Sequence, residues 1–205
     1  MAEETQQATE RWAPRLRSGE RVRVSFTQAF WLALCFVTAG MVFFLFLWFE
    51  IILSLITGHR GGMTPTGSQG AIGVIGGALW LYLFIRMWGS LLHNAVQFSP
   101  PRFDFYDWRG RPRSFEYEWI RAVLWRPPGG GGRGGRLGKR DLRISYAVPG
   151  SPERWINLGS QDGWREDFAQ AVRDEIVRRC GLTESSSPAP DDVIWRRPGE
   201  TRQLP

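Results

Sequence analysis

The chain has 205 residues, 43% hydrophobic and 22% charged, with a formal net charge of +6 at neutral pH. Its content of large aliphatic and aromatic residues excludes disorder throughout, and two cysteines with two histidines are too few for a disulfide scaffold or a four-ligand zinc site. The mean hydropathy of −0.25 suits a soluble protein, yet it averages an uncharged block at 26–49 with an arginine-dense block at 109–143.

Residues 1–25 are polar and carry Glu3, Glu4, Glu10 and Glu20 beside Arg11, Arg15, Arg17, Arg21 and Arg23. They lack the short apolar core of a signal peptide and read as a cytoplasmic N-terminal segment. Residues 30–49 (FWLALCFVTAGMVFFLFLWF) are all apolar or small. At about 1.5 Å per residue they are long enough to cross a hydrocarbon core of about 30 Å, with Trp31 and Trp48 toward the ends as interfacial anchors. A second apolar segment runs over 70–92 and is interrupted by Arg86, which is expected to snorkel to the headgroups beside Trp88. Glu50 and Arg86 fall at different depths of such a hairpin, which argues against an intramembrane ion pair. Gly73 and Gly77 make a small-xxx-small face. It would seat the second span against Phe43, Phe44 or Phe46 of the first, or against a second copy of the chain. Between the spans 59–69 holds only Arg60, whereas both outer flanks are arginine-rich, so the positive-inside rule places both termini in the cytoplasm. The segment 26–95 is therefore predicted to be a two-span transmembrane hairpin.

From residue 96 the hydrophobic period changes. Alternating runs predict strands at 102–108, 114–119, 120–125, 141–148 and 154–160, with a phase change at Ile120 that reads as a bulge and turn chemistry at Arg109-Gly110-Arg111-Pro112. Trp164, Phe168, Ala171, Val172 and Ile176 then recur at helical spacing. Asp162 is the predicted N-cap, and Gly181 follows as a stop. Strands closed by one amphipathic helix predict an α+β domain over 96–182. The Pro/Ser-rich remainder, 183–205, is predicted to be a disordered tail, with Val193-Ile194-Trp195 as a conceivable docking peptide within it.

Two spans followed by strand, turn, strand with a Trp-Ile pair (Tyr117-Glu118-Trp119-Ile120), further strands and a C-terminal helix resemble the bacterial PH-like domain membrane proteins. The resemblance covers 98–182 plus the hairpin and rests on layout, the Trp–Ile spacing being shorter than in that family. It implies a split β-barrel capped by a C-terminal helix, in the bacterial cytoplasmic membrane, used for interaction without catalysis. No ligand set transfers with it.

The densest basic stretch is 126–143, with Arg126, Arg133, Arg136, Lys139, Arg140 and Arg143 set among glycines. It fails as a phosphate-binding P-loop, because Arg133 and Arg140 stand where that motif needs Gly and Ser or Thr. It lacks a nucleic-acid-binding motif, so no nucleic-acid partner is expected. Two readings stand: contact with anionic lipid headgroups or a partner, and a solvated hairpin loop without a ligand. Cys35 reads as a small buried hydrophobe and Cys180 as helix-end packing. With no catalytic triad order and no metal set, neither an enzyme nor a cofactor is expected. The function predicted is a membrane-anchored adaptor or scaffold that binds a partner protein, anionic headgroups or both. The alternative is an accessory or assembly subunit whose spans pack on a larger membrane complex.

Overall fold

The computed structural model describes residues 11–57, 67–126, 141–158, 163–185 and 192–199. It is a mixed helix-and-sheet protein in two compact units, one of Gln28–Leu92 and the other of Met1–Thr27 with His93–Pro205.

The first unit is a pair of helices, α2 (Gln28–Thr57) and α3 (Gly67–His93), each long and apolar enough to cross a membrane. Their seam is built around indoles. The Trp80 Nε1–H donates to the Val37 carbonyl at 2.8 Å, and the Trp88 Nε1–H donates to Thr38 Oγ1 at 3.1 Å. Gly40 makes room for Trp80, since a Cβ there would fall 2.2 Å from the indole. Phe36 and Phe44 flank the same ring at 5.5 and 5.9 Å. Away from this seam the apolar side chains face outward: Phe43 is 59% exposed, Phe46 60% and Ile56 78%.

The second unit holds two antiparallel sheets. β1 (Val22–Arg23), β2 (Ala95–Ser99), β3 (Arg102–Tyr106) and β4 (Pro112–Glu116) lie in that order in one sheet. A 3₁₀ turn at Tyr117–Trp119 carries the chain into the other. There β5 (Ile120–Arg126), β6 (Asp141–Tyr146), β7 (Arg154–Asn157), β8 (Thr183–Ser185) and β9 (Val193–Arg196) pair in the order β7-β6-β5-β9-β8. The phase change expected at Ile120 is this turn together with a register shift between Ile120 and Ala122 in the β5–β6 ladder. Helix α4 (Glu166–Cys180) packs against β5 and the 3₁₀ turn. It buries Phe168, Ala171, Val172 and Ile176, the stripe read from the periodicity. It stops at Gly181, whose φ of 63° lets the Gly181 and Leu182 N–H groups reach the Arg178 and Val177 carbonyls. Phe98, Phe103 and Phe115 stack in a row, and Phe115 meets Tyr146 of the other sheet edge-on at 5.1 Å.

Four sequence expectations differ here. Residues 11–17 form a helix, α1, so the N-terminal segment is not a free flank. Trp12 packs edge-on against Phe168 at 5.2 Å, Leu16 is fully buried, and β1 pairs with β2. The remainder after Leu182 is not wholly disordered: β9 inserts between β5 and β8 with Ile194 fully buried. Isolated apolar residues in a polar stretch lack a periodic signature, so the long-range pairing that buries them was not visible. Helix α4 begins at Glu166 with Arg165 at the N-cap position and no side-chain cap bond, because Trp164 is held in a bridge with Phe26; Asp162 lies outside the described residues. Gly77 faces Trp48, 3.6 Å from its notional Cβ, rather than Phe43, Phe44 or Phe46. Gly73 lies in α3, with its surroundings outside the described residues.

Candidate functional site

Two of the six basic residues singled out in the sequence are described, and both are held by carboxylates. Arg126, at the end of β5, donates from Nε and Nη2 to both oxygens of Asp192 at 2.7 Å. These bonds hold its guanidinium above the ordinary arginine range. Arg143, on β6, pairs with the buried Asp141, which also accepts from Asn157 Nδ2. Arg126 therefore ties the last strand to β5, and Arg143 braces β6. Arg133, Arg136, Lys139 and Arg140 lie outside the described residues.

The same neutralisation recurs across the unit. Glu175 is 4% exposed on α4 and accepts from Arg178 and Arg179, with Arg17 of the N-terminal segment 3.7 Å away. Burial alone would push its carboxyl up. The hydrogen bonds from Arg178 and Arg179, and their charges, outweigh that and hold it below the ordinary glutamate range. The Arg173 guanidinium lies 5.3 Å from the Trp125 ring and 5.0 Å from the Trp195 ring while paired with Asp174, and so joins α4 to β5 and β9. Burial pushes the Cys180 thiol up to about 12, which removes it as a nucleophile at neutral pH. Among the described residues no group of three His, Cys, Asp or Glu side chains is placed to hold a metal ion.

One end of the four-stranded sheet breaks this pattern. The β3–β4 turn is locked by Asp107: its Oδ1 accepts from the Arg109 and Arg111 N–H groups at 2.8 and 3.1 Å, and its carbonyl accepts from the Gly110 N–H at 2.8 Å. Gly110 has φ +74°, and a Cβ there would lie 3.3 Å from the His93 ring, so glycine answers both the backbone conformation and the close approach. Arg21 lays its guanidinium 3.8 Å from the Tyr106 ring centre and donates to the His93 carbonyl at 3.2 Å. Arg109 lies 4.5 Å from the ring of half-buried Trp108. Arg21, Arg23, Arg109, Arg111 and Arg113 are all exposed, and none forms an ion pair with a described carboxylate. The only acid of the turn, Asp107, spends its carboxylate on turn amides.

Sequence reasoning counted these arginines as topology signals and Arg109-Gly110-Arg111-Pro112 as turn chemistry, without joining them into a surface. The local signal was present in Asp107-Trp108-Arg109-Gly110-Arg111. Arg21 and Arg23 reach the turn only through the pairing of β1 with β2. Comparison with protein-family models, curated proteins and solved structures found no match.

Proposed function

We propose that this chain is a two-pass protein of the bacterial cytoplasmic membrane. In this reading it presents a PH-like α+β domain on the cytoplasmic side as a non-catalytic adaptor or scaffold, binding a partner protein, anionic headgroups or both. The observation that carries it is the outward apolar surface of α2 and α3. A core helix of a soluble protein buries such side chains, whereas Phe36, Phe43, Phe46 and Ile56 stand more than half exposed. The indole N–H groups of Trp80 and Trp88 find partners within the helix pair, as a water-free surrounding demands. The PH-like reading is supported by three meandering strands in each sheet, a crossing at Tyr117–Trp119 and one helix after them; β1, β8 and β9 are additions to that layout. Gly40 and Gly77 are both occupied by indoles of the partner helix, which favours the adaptor reading over one in which the small-residue face docks on a larger complex. Arg133, Arg136, Lys139 and Arg140 remain part of this reading as headgroup or partner contacts from the β5–β6 connection.

The test is cysteine accessibility in intact cells, in a Cys35→Ala, Cys180→Ala background. Thr64→Cys, between the two apolar helices, is expected to react with an impermeant maleimide. Ser151→Cys, in the exposed β6–β7 connection, is expected to react only after permeabilisation. The opposite pattern, or a chain released by alkaline carbonate, overturns the proposal.

A further inference from the structure

We propose that the β3–β4 turn, with Arg109, Arg111 and Arg113, forms together with Arg21 and Arg23 a seat for anionic phospholipid headgroups in the leaflet from which the two apolar helices emerge. This rests on the two-span reading above and gives it a defined contact surface.

The strand register sets the place. Arg23 pairs with Ala95, Ala95 with Tyr106, and Tyr106 with Pro112, so the turn beyond Tyr106 lies at the same sheet end as Arg23 and Ala95. The chain also passes into the apolar helices at that end: α3 closes at His93, and α2 opens at Gln28 shortly after Arg23. From His93 to Ala95 the chain spans at most about 7 Å. The Gly110 backbone comes within a side chain's breadth of the His93 ring. Any bilayer that takes up α3 therefore brings its headgroups within a Debye length of the turn, at a high effective concentration.

The chemistry fits a phosphodiester. Several arginines elsewhere in the domain are closed off, Arg102 by Asp104, Arg126 by Asp192, Arg143 by Asp141 and Arg179 by Glu175. At this end Arg23, Arg109, Arg111 and Arg113 have no carboxylate partner among the described residues, and Arg21 is held only by the Tyr106 ring and the His93 carbonyl; guanidinium forks match phosphate oxygens two at a time. Trp108 beside Arg109 adds an amphipathic ring of the kind that settles at headgroup level. The Asp107 bonds hold the turn in one conformation before any lipid arrives, so little ordering opposes binding. A free phosphate or an acidic protein would find the same guanidinium groups, but only the lipid is delivered there by the covalent chain.

The experiment uses the full chain in nanodiscs, with a nitroxide at Arg109→Cys in the Cys35→Ala, Cys180→Ala background and a control label at Ser151→Cys. Label depth is read by power saturation in phosphatidylcholine alone and with roughly a third phosphatidylglycerol. The Arg109 label is expected at headgroup depth in the anionic discs and displaced toward water in the neutral ones, with the Ser151 label in water in both. Adding Arg111→Ser and Arg113→Ser is expected to lower the ratio of seated to free label about fivefold per arginine. Arg15→Ser with Arg154→Ser, the same charge removed elsewhere on the domain, is expected to leave it unchanged. An Arg109 label in bulk water in anionic discs, or at equal depth in both lipids, overturns this proposal while leaving the two-span reading intact. A chain that fails to enter the discs overturns both.

Discussion

Glu175 stands one turn ahead of Arg178 and Arg179 on α4, and that spacing turns a buried carboxylate from a liability into a brace. Its charged form is favoured in the folded chain, so its contribution to stability is present above the ordinary glutamate pKa of 4.5 and is lost as pH falls through the lower folded-state value. Glu175→Gln is expected to lower stability by about 1–3 kcal/mol at neutral pH, because Arg178 and Arg179 lose a charged acceptor. It is also expected to remove part of the acid-side decline. Thermal unfolding of the full chain in detergent at pH 7 and below pH 4.5 checks both. In the sequence Glu175 is one charge among several on a helix, and nothing local marks it as buried. The N-terminal segment, arriving from the far end of the chain, brings Arg17 to 3.7 Å from it and packs Trp12 on Phe168 of the same helix. The α4 stripe itself was legible, since Phe168, Val172 and Ile176 recur at helical spacing.

Among the elements, α2 and α3 show what an apolar pattern reveals and what it leaves open. Length and hydropathy were enough to find both helices, because a long uncharged run has few other stable forms. The contact between them was not legible. The spacing of Gly73 and Gly77 suggested the seam, whereas among the glycines whose surroundings are described the closest approach belongs to Gly40 beneath the Trp80 indole. A single glycine amid large side chains carries no spacing signal, and its partner lies in another helix. Gly40→Ala is expected to displace Trp80, break its bond to the Val37 carbonyl, and destabilise the helix pair by about 1–3 kcal/mol. A lower melting temperature in detergent, with a shift in tryptophan emission, is the readout. Unchanged melting counts against this seam.

At the scale of the whole molecule the α+β unit is assembled from chain segments that precede and follow the two apolar helices in sequence. β1 comes before the apolar helices, β2 begins directly after them, and β9 returns from the tail to occupy the β5 edge. The span 96–182 thus omits β1, the first residue of β2, and both tail strands. A chain ending at Leu182 is expected to expose the β5 edge as an unpaired strand and to self-associate in detergent. Ile194→Ala, which leaves the strand in place, is expected to cost about 2–4 kcal/mol through the cavity it opens. Size-exclusion chromatography with light scattering and thermal melts distinguish these outcomes. An unchanged elution and melting temperature for the truncated chain is incompatible with β9 as part of the sheet.

Local pattern settled the two apolar helices, the α4 stripe and its glycine stop, and the alternation of β3 and β6, because each is a periodicity that neighbouring residues suffice to display. Tertiary structure alone decided that the N-terminal segment and the tail belong to the core, and that Arg126 is neutralised. It also decided that the open arginines gather at the end of the sheet joined to the helices. Burial and charge pairing depend on residues brought from 66 positions away, as with Arg126 and Asp192, or 155, as with Trp12 and Asp167. No window of sequence holds both partners of such a contact. The +6 of the composition is therefore a sum over paired and open arginines, and only the fold separates the two kinds.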